Sequence, residues 1–413
     1  MRVLFIHPEF PYRGKDLFPI GLGYLASAVE DIAEVSVIDE NLETFSTRKI
    51  KEINPDIIGI TATTPSFPRA MEIAAALKDT GAKIVIGGVH ATFMPEEALE
   101  GGADIVVRGE GEATLREIVE GKAIDEIRGI SYKKNNKIIH NPERVPAANL
   151  DTIPFPAHKY FQTSEYGIMS ITSSRGCPHS CSYCSATRFW GKKVRMRSPL
   201  NVLEELKIIK DLGFNLVRFM DSTFTLDKKR ALEICRLMID EELLLKWSCE
   251  TRADALDDEI LGALRDSGCT LICLGVDSAC DEILSQNNRR IDAETTRNAV
   301  EKIREHGMDT RAYITFGLPG ETAESARETI KFIEEARPSQ VVLSLATAYP
   351  GTDLWGGPYI DMHERWIAKF HGHGTGGKLY LPSGMTKKEY TLLADYMWRE
   401  VKRINRAREE AEG

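Results

Sequence analysis

The sequence predicts an α/β protein made of two successive parallel-sheet units, and three observations carry that reading. Over the first 130 residues, short apolar runs rich in β-branched side chains recur between helix-like stretches. A proline-bearing connector follows, and six further runs then alternate with helical segments in the manner of a βα-barrel. Directly after the first of those six stand three cysteines, Cys177, Cys181 and Cys184, spaced C-x-x-x-C-x-x-C.

The first set of strands is expected at residues 3–6, 34–38, 56–60, 83–86 and 104–107, a doubly wound parallel sheet. Ligands of such sheets bind beyond the carboxyl ends of the strands, so the loops there are the candidate site. Thr63, Thr64, Pro65, Ser66 and Phe67 follow the third strand. Gly87, Gly88, His90 and Thr92 follow the fourth, and Glu110, Gly111 and Glu112 the fifth. Small and hydroxyl side chains let a large planar ligand approach the backbone, and the glycines tolerate positive φ. Gly21 and Gly23 open the first helix and are read as close-packing positions.

The stretch 129–144 alternates apolar and polar residues around Asn135-Asn136, a hairpin signal. Pro154 and Pro156 then fix an extended connector. The resulting partition is 1–130, a linker over 131–165, a second unit over 166–355 and an extension over 356–413. The second set of strands is expected at 168–172, 216–220, 246–249, 271–274, 309–316 and 340–346. Of the other cysteines, Cys235, Cys249, Cys269, Cys273 and Cys280, most are expected as small core residues, with Cys269 and Cys273 on alternate faces of one strand.

Closed metal sites take four protein ligands, whereas an iron–sulfur cluster held by three thiolates keeps one iron free for a small molecule. Gly176-Cys177-Pro178 makes a tight turn, and Tyr183 sets an aromatic face beside the last cysteine. A zinc knuckle is the competing reading, but the paired Cys or Cys/His spacing it needs is missing. The motif resembles that of the radical S-adenosylmethionine (SAM) superfamily. That resemblance implies a partial (β/α)6 barrel, a [4Fe-4S] cluster on the three cysteines, SAM on its open iron and adenine against Tyr183.

Further loops extend the resemblance. Asp221 and Ser222 fall where the family contacts the SAM amino group, although the common Gly-Gly-Glu is absent. Glu250 and Arg252 fall where a ribose hydroxyl and the methionine carboxylate would be met. Asp277 replaces the usual glutamate before Ser278. Residues 317–322 read G-L-P-G-E-T and 349–352 Y-P-G-T, both family turns. In the first unit, the order strand, TATTPSF, strand, GGVHAT, strand, GEGEATL resembles the cobalamin-binding domain that precedes the barrel in one large subfamily. No D-x-H-x-x-G occurs, so the resemblance implies no histidine under cobalt, with residues 63–67 beneath its lower face and His90 near the cofactor's tail.

The family likeness implies a cobalamin-dependent radical SAM C-methyltransferase acting on unactivated carbon, with a ferredoxin- or flavodoxin-type electron donor. A compact chain with an acidic balance is similar to the methyltransferase that modifies a glutamine Cα in methyl-coenzyme M reductase. The alternatives are a cyclase or ring-rearranging enzyme of lipid or natural-product biosynthesis, and a cobalamin sensor whose cluster is structural. The excess of 62 acidic over 53 basic residues argues against a general nucleic-acid partner. The absence of a second cysteine triad argues against tRNA methylthiolation. No apolar window reaches the length of a membrane span, and cysteine usage fits a reducing compartment, so a cytoplasmic protein is expected. Residues 371–377, HGHGTGG, are read as a glycine-rich solvent loop with a substrate lid as the other reading, and 387–410 as an amphipathic helix plugging the barrel.

Overall fold

The structure is a computed structural model that describes residues 1–10, 17–363, 370 and 378–412. The chain divides into two compact units, Met1–Ile168 and the part from Met169 onward. Segment 371–377, the glycine-rich loop of the sequence reading, lies outside the described residues.

In the first unit the strands are β1 (Arg2–His7), β2 (Glu34–Asp39), β3 (Ile57–Thr61), β4 (Lys83–Gly87), β5 (Ile105–Val107), β6 (Ile130–Lys134) and β7 (Lys137–His140). They form one sheet in the order β2-β1-β3-β4-β5-β6-β7. Alternation sorts their side chains onto two cores: Leu4, Ile6, Ile58, Ile60, Ile84 and Ile86 on one face, Val3, Phe5, Ile57, Val85, Ile105 and Val107 on the other. The pairs among β1 to β5 are parallel, but β6 and β7 pair antiparallel. The hairpin that the sequence assigns to a linker is therefore the sheet's edge, turned by Asn135 and Asn136 at φ 51° and 58°. Gly23, on the helix Ile20–Ser27, is a packing position: a Cβ there would lie 2.8 Å from Pro156. A Cβ on Gly21 would meet nothing within 4 Å.

The second unit begins with β8 (Met169–Ile171), then β9 (Ser174–Arg175) and β10 (Arg195–Met196), which pair with each other, then β11 (Leu216–Phe219), β12 (Lys246–Thr251), β13 (Cys269–Asp277), β14 (Asp309–Phe316) and β15 (Gln340–Leu345). The main sheet runs β15-β14-β13-β12-β11-β8, all parallel, with β8 and β15 at its two edges, the open form a partial barrel requires. A register irregularity opposite Trp247 and Ser248 leaves Thr270 extra in β13 and reverses its phase. Cys269 thus lies with Cys249 and Cys235, and Cys273 with Arg218, Glu250 and Tyr313. These four cysteines are buried and Cys280 partly so.

The helix Lys387–Glu412 is not a plug. Tyr390, Ala394, Met397, Val401 and Ile404 bury one stripe against β15 and the helix Ala323–Ala336. Asn405 accepts from the Val341 N–H at 3.0 Å and donates to its carbonyl at 2.8 Å, taking the place of a neighbouring strand on the open edge. Among the described residues, no helix is long and apolar enough to cross a membrane.

Candidate active site

The cysteine loop leaves β8 and is pinned at both ends. Gly176 sits at φ 114°, and a Cβ on it would lie 2.7 Å from the Lys193 carbonyl oxygen and 2.9 Å from Val194 Cα. Only glycine lets the loop pass under the segment that returns to β10. The Cys177 N–H donates to the Gly191 carbonyl at 3.1 Å, and the Thr187 hydroxyl to the Cys177 carbonyl at 3.1 Å. Farther along, Ser182 donates from its N–H to the Asn287 carbonyl at 3.1 Å and from its hydroxyl to Asn287 Oδ1 at 2.6 Å.

The three thiols are close enough to feel one another. Desolvation raises the Cys181 pKa, partly offset by the Arg289 guanidinium. Cys184 is open to solvent yet densely surrounded, and it is pushed up to about 11, first by desolvation and then by repulsion from Cys181 and Cys177. Three thiols gathered on one short loop suit a polynuclear cluster that gives each thiolate its own iron.

Tyr183 packs against Ile283, Leu318, Ala346 and Leu354, with its hydroxyl in the neighbourhood of Asp277 and Cys181; desolvation, then those charges, raises its pKa. Asp277 holds the left-handed φ of 63° just past a bulge in β13 and pairs with Arg289, whose Nε donates to Oδ2 at 2.7 Å. Arg289 Nη2 also donates to the Gly275 carbonyl at 2.5 Å, and a Cβ on Gly275 would crowd that nitrogen at 3.0 Å. Thus Asp277, Arg289, Tyr183 and Cys181 form one interacting group. Sequence reasoning missed Arg289 and Asn287, which lie in the connection after the helix Asp281–Gln286, outside any recognisable motif.

Two of the expected SAM contacts have their polar atoms engaged within the chain. Asp221 is fully buried: Oδ1 accepts the Ser173 N–H at 2.7 Å, and Oδ2 accepts the hydroxyls of Ser173 and Ser174 at 2.5 and 2.6 Å. It anchors the chain entering the cysteine loop instead of facing a ligand, while Ser222 is exposed. Arg252 donates to both oxygens of Asp254, at 2.9 and 2.8 Å, and to the carbonyls of Arg289 and Arg290. Its fork is already met by Asp254 within the chain. Glu250 receives Arg218 Nη2 at 2.6 Å, and Tyr313 Oη shares that guanidinium at 3.1 Å. His179, between the first two cysteines, lines a cleft of about 370 Å³ with Thr223, Arg252 and Asp254. Its Nε2 is buried without a partner, and desolvation, then the Arg252 charge, lowers its pKa.

The G-L-P-G-E-T turn is held from within. Glu321 is buried and accepts the Gly317 N–H at 3.2 Å and the Ser325 hydroxyl; desolvation pushes its pKa up to about 7. Asn287 Nδ2 donates to the Pro319 carbonyl at 3.0 Å, so one side chain ties this turn to the cysteine loop.

In the first unit, most of the loop after β3 faces inward. Thr64, Ser66 and Phe67 are buried, leaving Thr63 exposed and Pro65 partly so. His90 is likewise no surface ligand. Its ring stacks on Phe67 at 4.0 Å, Nδ1 meets Thr64 Oγ1 at 3.1 Å, and Nε2 lies 3.5 Å from Glu97. The helix-opening turn carries Thr64, Phe67 and His90 under the loop, so Thr63 and Pro65 are the members of the loop that reach its surface. Gly88 at φ 104° allows close approach, since a Cβ would lie 2.6 Å from the Ala62 carbonyl oxygen. Thr92 accepts the Gly109 N–H at 3.0 Å, joining the loops after β4 and β5. Gly87, Glu110, Gly111 and Glu112 are partly exposed at the same strand ends. Glycine- and hydroxyl-rich strand ends are what a large planar cofactor needs.

Fold and sites define a two-cofactor enzyme class, one unit presenting a cofactor edge and the other a three-thiolate loop. The model of the Radical SAM superfamily matches residues 171–333 and that of the B12 binding domain residues 12–119. Uncharacterized methyltransferase PH0819 of Pyrococcus horikoshii is 36% identical over 355 residues, which are 82% of this chain and 77% of that protein. The anaerobic magnesium-protoporphyrin IX monomethyl ester cyclase of Rubrivivax gelatinosus is 30% identical, over 86% of this chain and 69% of its own. The radical SAM methyltransferase TsrM of Kitasatospora setae, solved with cobalamin and a [4Fe-4S] cluster, superposes with a TM-score of 0.78 over all of both chains at 20% identity, a likeness of fold. The chain belongs to the cobalamin-dependent radical SAM methyltransferase family, and its cofactors are a [4Fe-4S] cluster, SAM and cobalamin.

Proposed function

We propose that the protein methylates an unactivated carbon by a radical route. The supporting observation is the loop of three thiols without a fourth, beside Tyr183 and the buried Asp277–Arg289 pair. When bound, the cluster and SAM supply a 5′-deoxyadenosyl radical that removes hydrogen from carbon, and cobalamin supplies the methyl group. The chain's part is positional. Cys177, Cys181 and Cys184 hold the cluster, Tyr183 offers an aromatic wall, Glu250 offers an oxygen to a hydroxyl, and the paired Asp277 and Arg289 lie beside Tyr183 and Cys181. In the first unit Thr63, Pro65, Gly87, Gly88 and Thr92 border the cobalamin, with Thr64, Phe67 and His90 supporting them from beneath.

The proposed substrate is a peptidyl glutamine whose Cα is methylated, as in methyl-coenzyme M reductase, a reading supported by the acidic balance of the chain. A small tetrapyrrole, phosphonate or lipid is the second reading. It is favoured by the names of relatives: the cyclase above, the cytidylyl-2-hydroxyethylphosphonate methyltransferase of Streptomyces wedmorensis and the hopanoid C-3 methylase of Methylococcus capsulatus. The test is anaerobic reconstitution with iron, sulfide, cobalamin, SAM and reductant, offering the peptide and one compound of each small class. Mass spectrometry should find the peptide heavier by one methylene, with 5′-deoxyadenosine and S-adenosylhomocysteine in equal amounts. Deoxyadenosine beside an unchanged peptide and a methylated small molecule would replace the first substrate by the second. A cyclised product without S-adenosylhomocysteine would overturn methyl transfer, and no deoxyadenosine from a cluster-loaded protein would favour a sensor.

A further inference from the structure

Residues 166–203, which include the whole cysteine loop, hold six lysines and arginines and no aspartate or glutamate. The chain-wide proportion of 62 acidic residues in 413 would place about six there. Three of the six cations are spent inside: Arg175, Arg195 and Arg197 are buried. Arg188 is exposed and paired with Asp353. Lys192 and Lys193 are exposed, and neither makes an ion pair among the described residues. They follow Gly191, whose carbonyl accepts the Cys177 N–H at 3.1 Å, and the Lys193 backbone is what presses on Gly176. The backbone that carries both lysines thus runs directly beside the first cluster cysteine. Beside them stand the partly exposed rings of Phe189 and Trp190, in edge contact at 4.6 Å.

We infer that this cationic, aromatic-bordered surface over Cys177 is the docking site for an acidic iron–sulfur ferredoxin that reduces the cluster. A protein of net charge −9 repels an acidic carrier over most of its surface, so a local positive patch decides where the carrier lands. A low-potential cluster carrier, at about −400 mV for plant-type ferredoxins, suits the reductive chemistry. The transfer moves one electron: the ferredoxin is oxidised by one unit and the enzyme cluster reduced by one, with no bond made or broken. The inference rests on the family's need for that electron and is independent of which carbon is methylated.

The experiment uses the reconstituted full chain carrying Lys192→Glu and Lys193→Glu, with Lys331→Glu, a remote 74% exposed lysine, as control. Reduced ferredoxin is the probe. Its Kd for the enzyme is measured by calorimetry and the rate of cluster reduction by stopped-flow absorbance, while dithionite-driven deoxyadenosine formation checks the site itself. At 50 mM salt the double reversal should raise the Kd and slow reduction about tenfold, with the difference shrinking to within about twofold at 500 mM salt. Dithionite turnover should be unchanged, and the remote control should match the parent. If the reversed protein loses iron, Lys192→Gln with Lys193→Gln replaces it, expected to show about a threefold effect of the same salt dependence. Equal Kd values for parent and variant, an effect insensitive to salt, or an effect on reduced flavodoxin alone would overturn the proposal.

Discussion

Gly176→Ala should empty the cluster site while leaving the fold standing. At φ 114° an alanine costs about 1–3 kcal/mol of backbone strain. Its Cβ would also press on the Lys193 carbonyl at 2.7 Å and Val194 Cα at 2.9 Å, backbone atoms of the strand connection that β9 and β10 secure. A combined cost of at least about 2 kcal/mol is roughly a 30-fold shift against the loop geometry that brings Cys177 into line. Iron and sulfide per chain after reconstitution, with absorbance near 400 nm, read the occupancy, and a thermal melt of the apo-protein reads the fold. Gly213→Ala is the matched control, since Gly213 has φ 88° but no atom within 4 Å of its Cβ direction. It should lose stability by about 1 kcal/mol and keep its cluster. Full iron content in Gly176→Ala, or equal loss in both variants, would refute the argument that this crossing sets the loop.

Other perturbations separate the roles of neighbouring groups. Because the folded-state pKa of Glu321 is raised to about 7 from the ordinary 4.5, the folded protein prefers it protonated, so its ionisation destabilises the fold as pH rises from about 4.5 to 7. The cost, about 3 kcal/mol when fully developed, should appear as a melting temperature that falls between about pH 4.5 and 7, and Glu321→Gln should flatten that slope. Arg289→Met strands a buried Asp277 and should cost about 3–5 kcal/mol, partly recovered in Asp277→Asn with Arg289→Met; denaturant titration of the apo-protein measures both. His90→Asn loses the Phe67 stack and loosens Thr64, about 1–2 kcal/mol, and should weaken cobalamin retention severalfold. The electron paramagnetic resonance of its cob(II)alamin should stay as in the parent, whereas removal of a cobalt ligand would change the nitrogen splitting.

Strand positions were legible because apolar runs bounded by turn residues leave few other choices, and the cysteine loop was legible because its chemistry is local. What pointed inward was not. Asp221 sits where a family contact is expected, yet three donors from residues 173 and 174 saturate it. Arg252 has the right chemistry for a carboxylate, but Asp254 two residues on takes its fork. The hairpin signal around Asn135 was clear, but nothing local says that its first strand will add to β5. The alternate facing of Cys269 and Cys273 came out as expected for a reason the sequence does not display, a bulge that inserts Thr270, since in a regular strand residues four apart share a face.

The two most recognisable stretches of the second unit, the cysteine loop and the G-L-P-G-E-T turn, are separated by more than 130 residues, and a side chain outside either motif makes them one body. Asn287 is fully buried; its backbone carbonyl and Oδ1 accept from Ser182, while its Nδ2 donates to Ile283 and Pro319. Every polar group of that amide side chain is used, so loss at one end leaves an unpaired buried atom at the other. Two residues further on, Arg289 ties this connection to the end of β13 through Asp277 and the Gly275 carbonyl. The short connection 287–290 therefore sets the distance between the thiol loop and the surfaces that would hold SAM. Radical chemistry that must place a reacting carbon within contact of C5′ depends on such fixed spacing. That spacing is stored in buried amide and guanidinium contacts, which a motif search limited to the cysteines does not register.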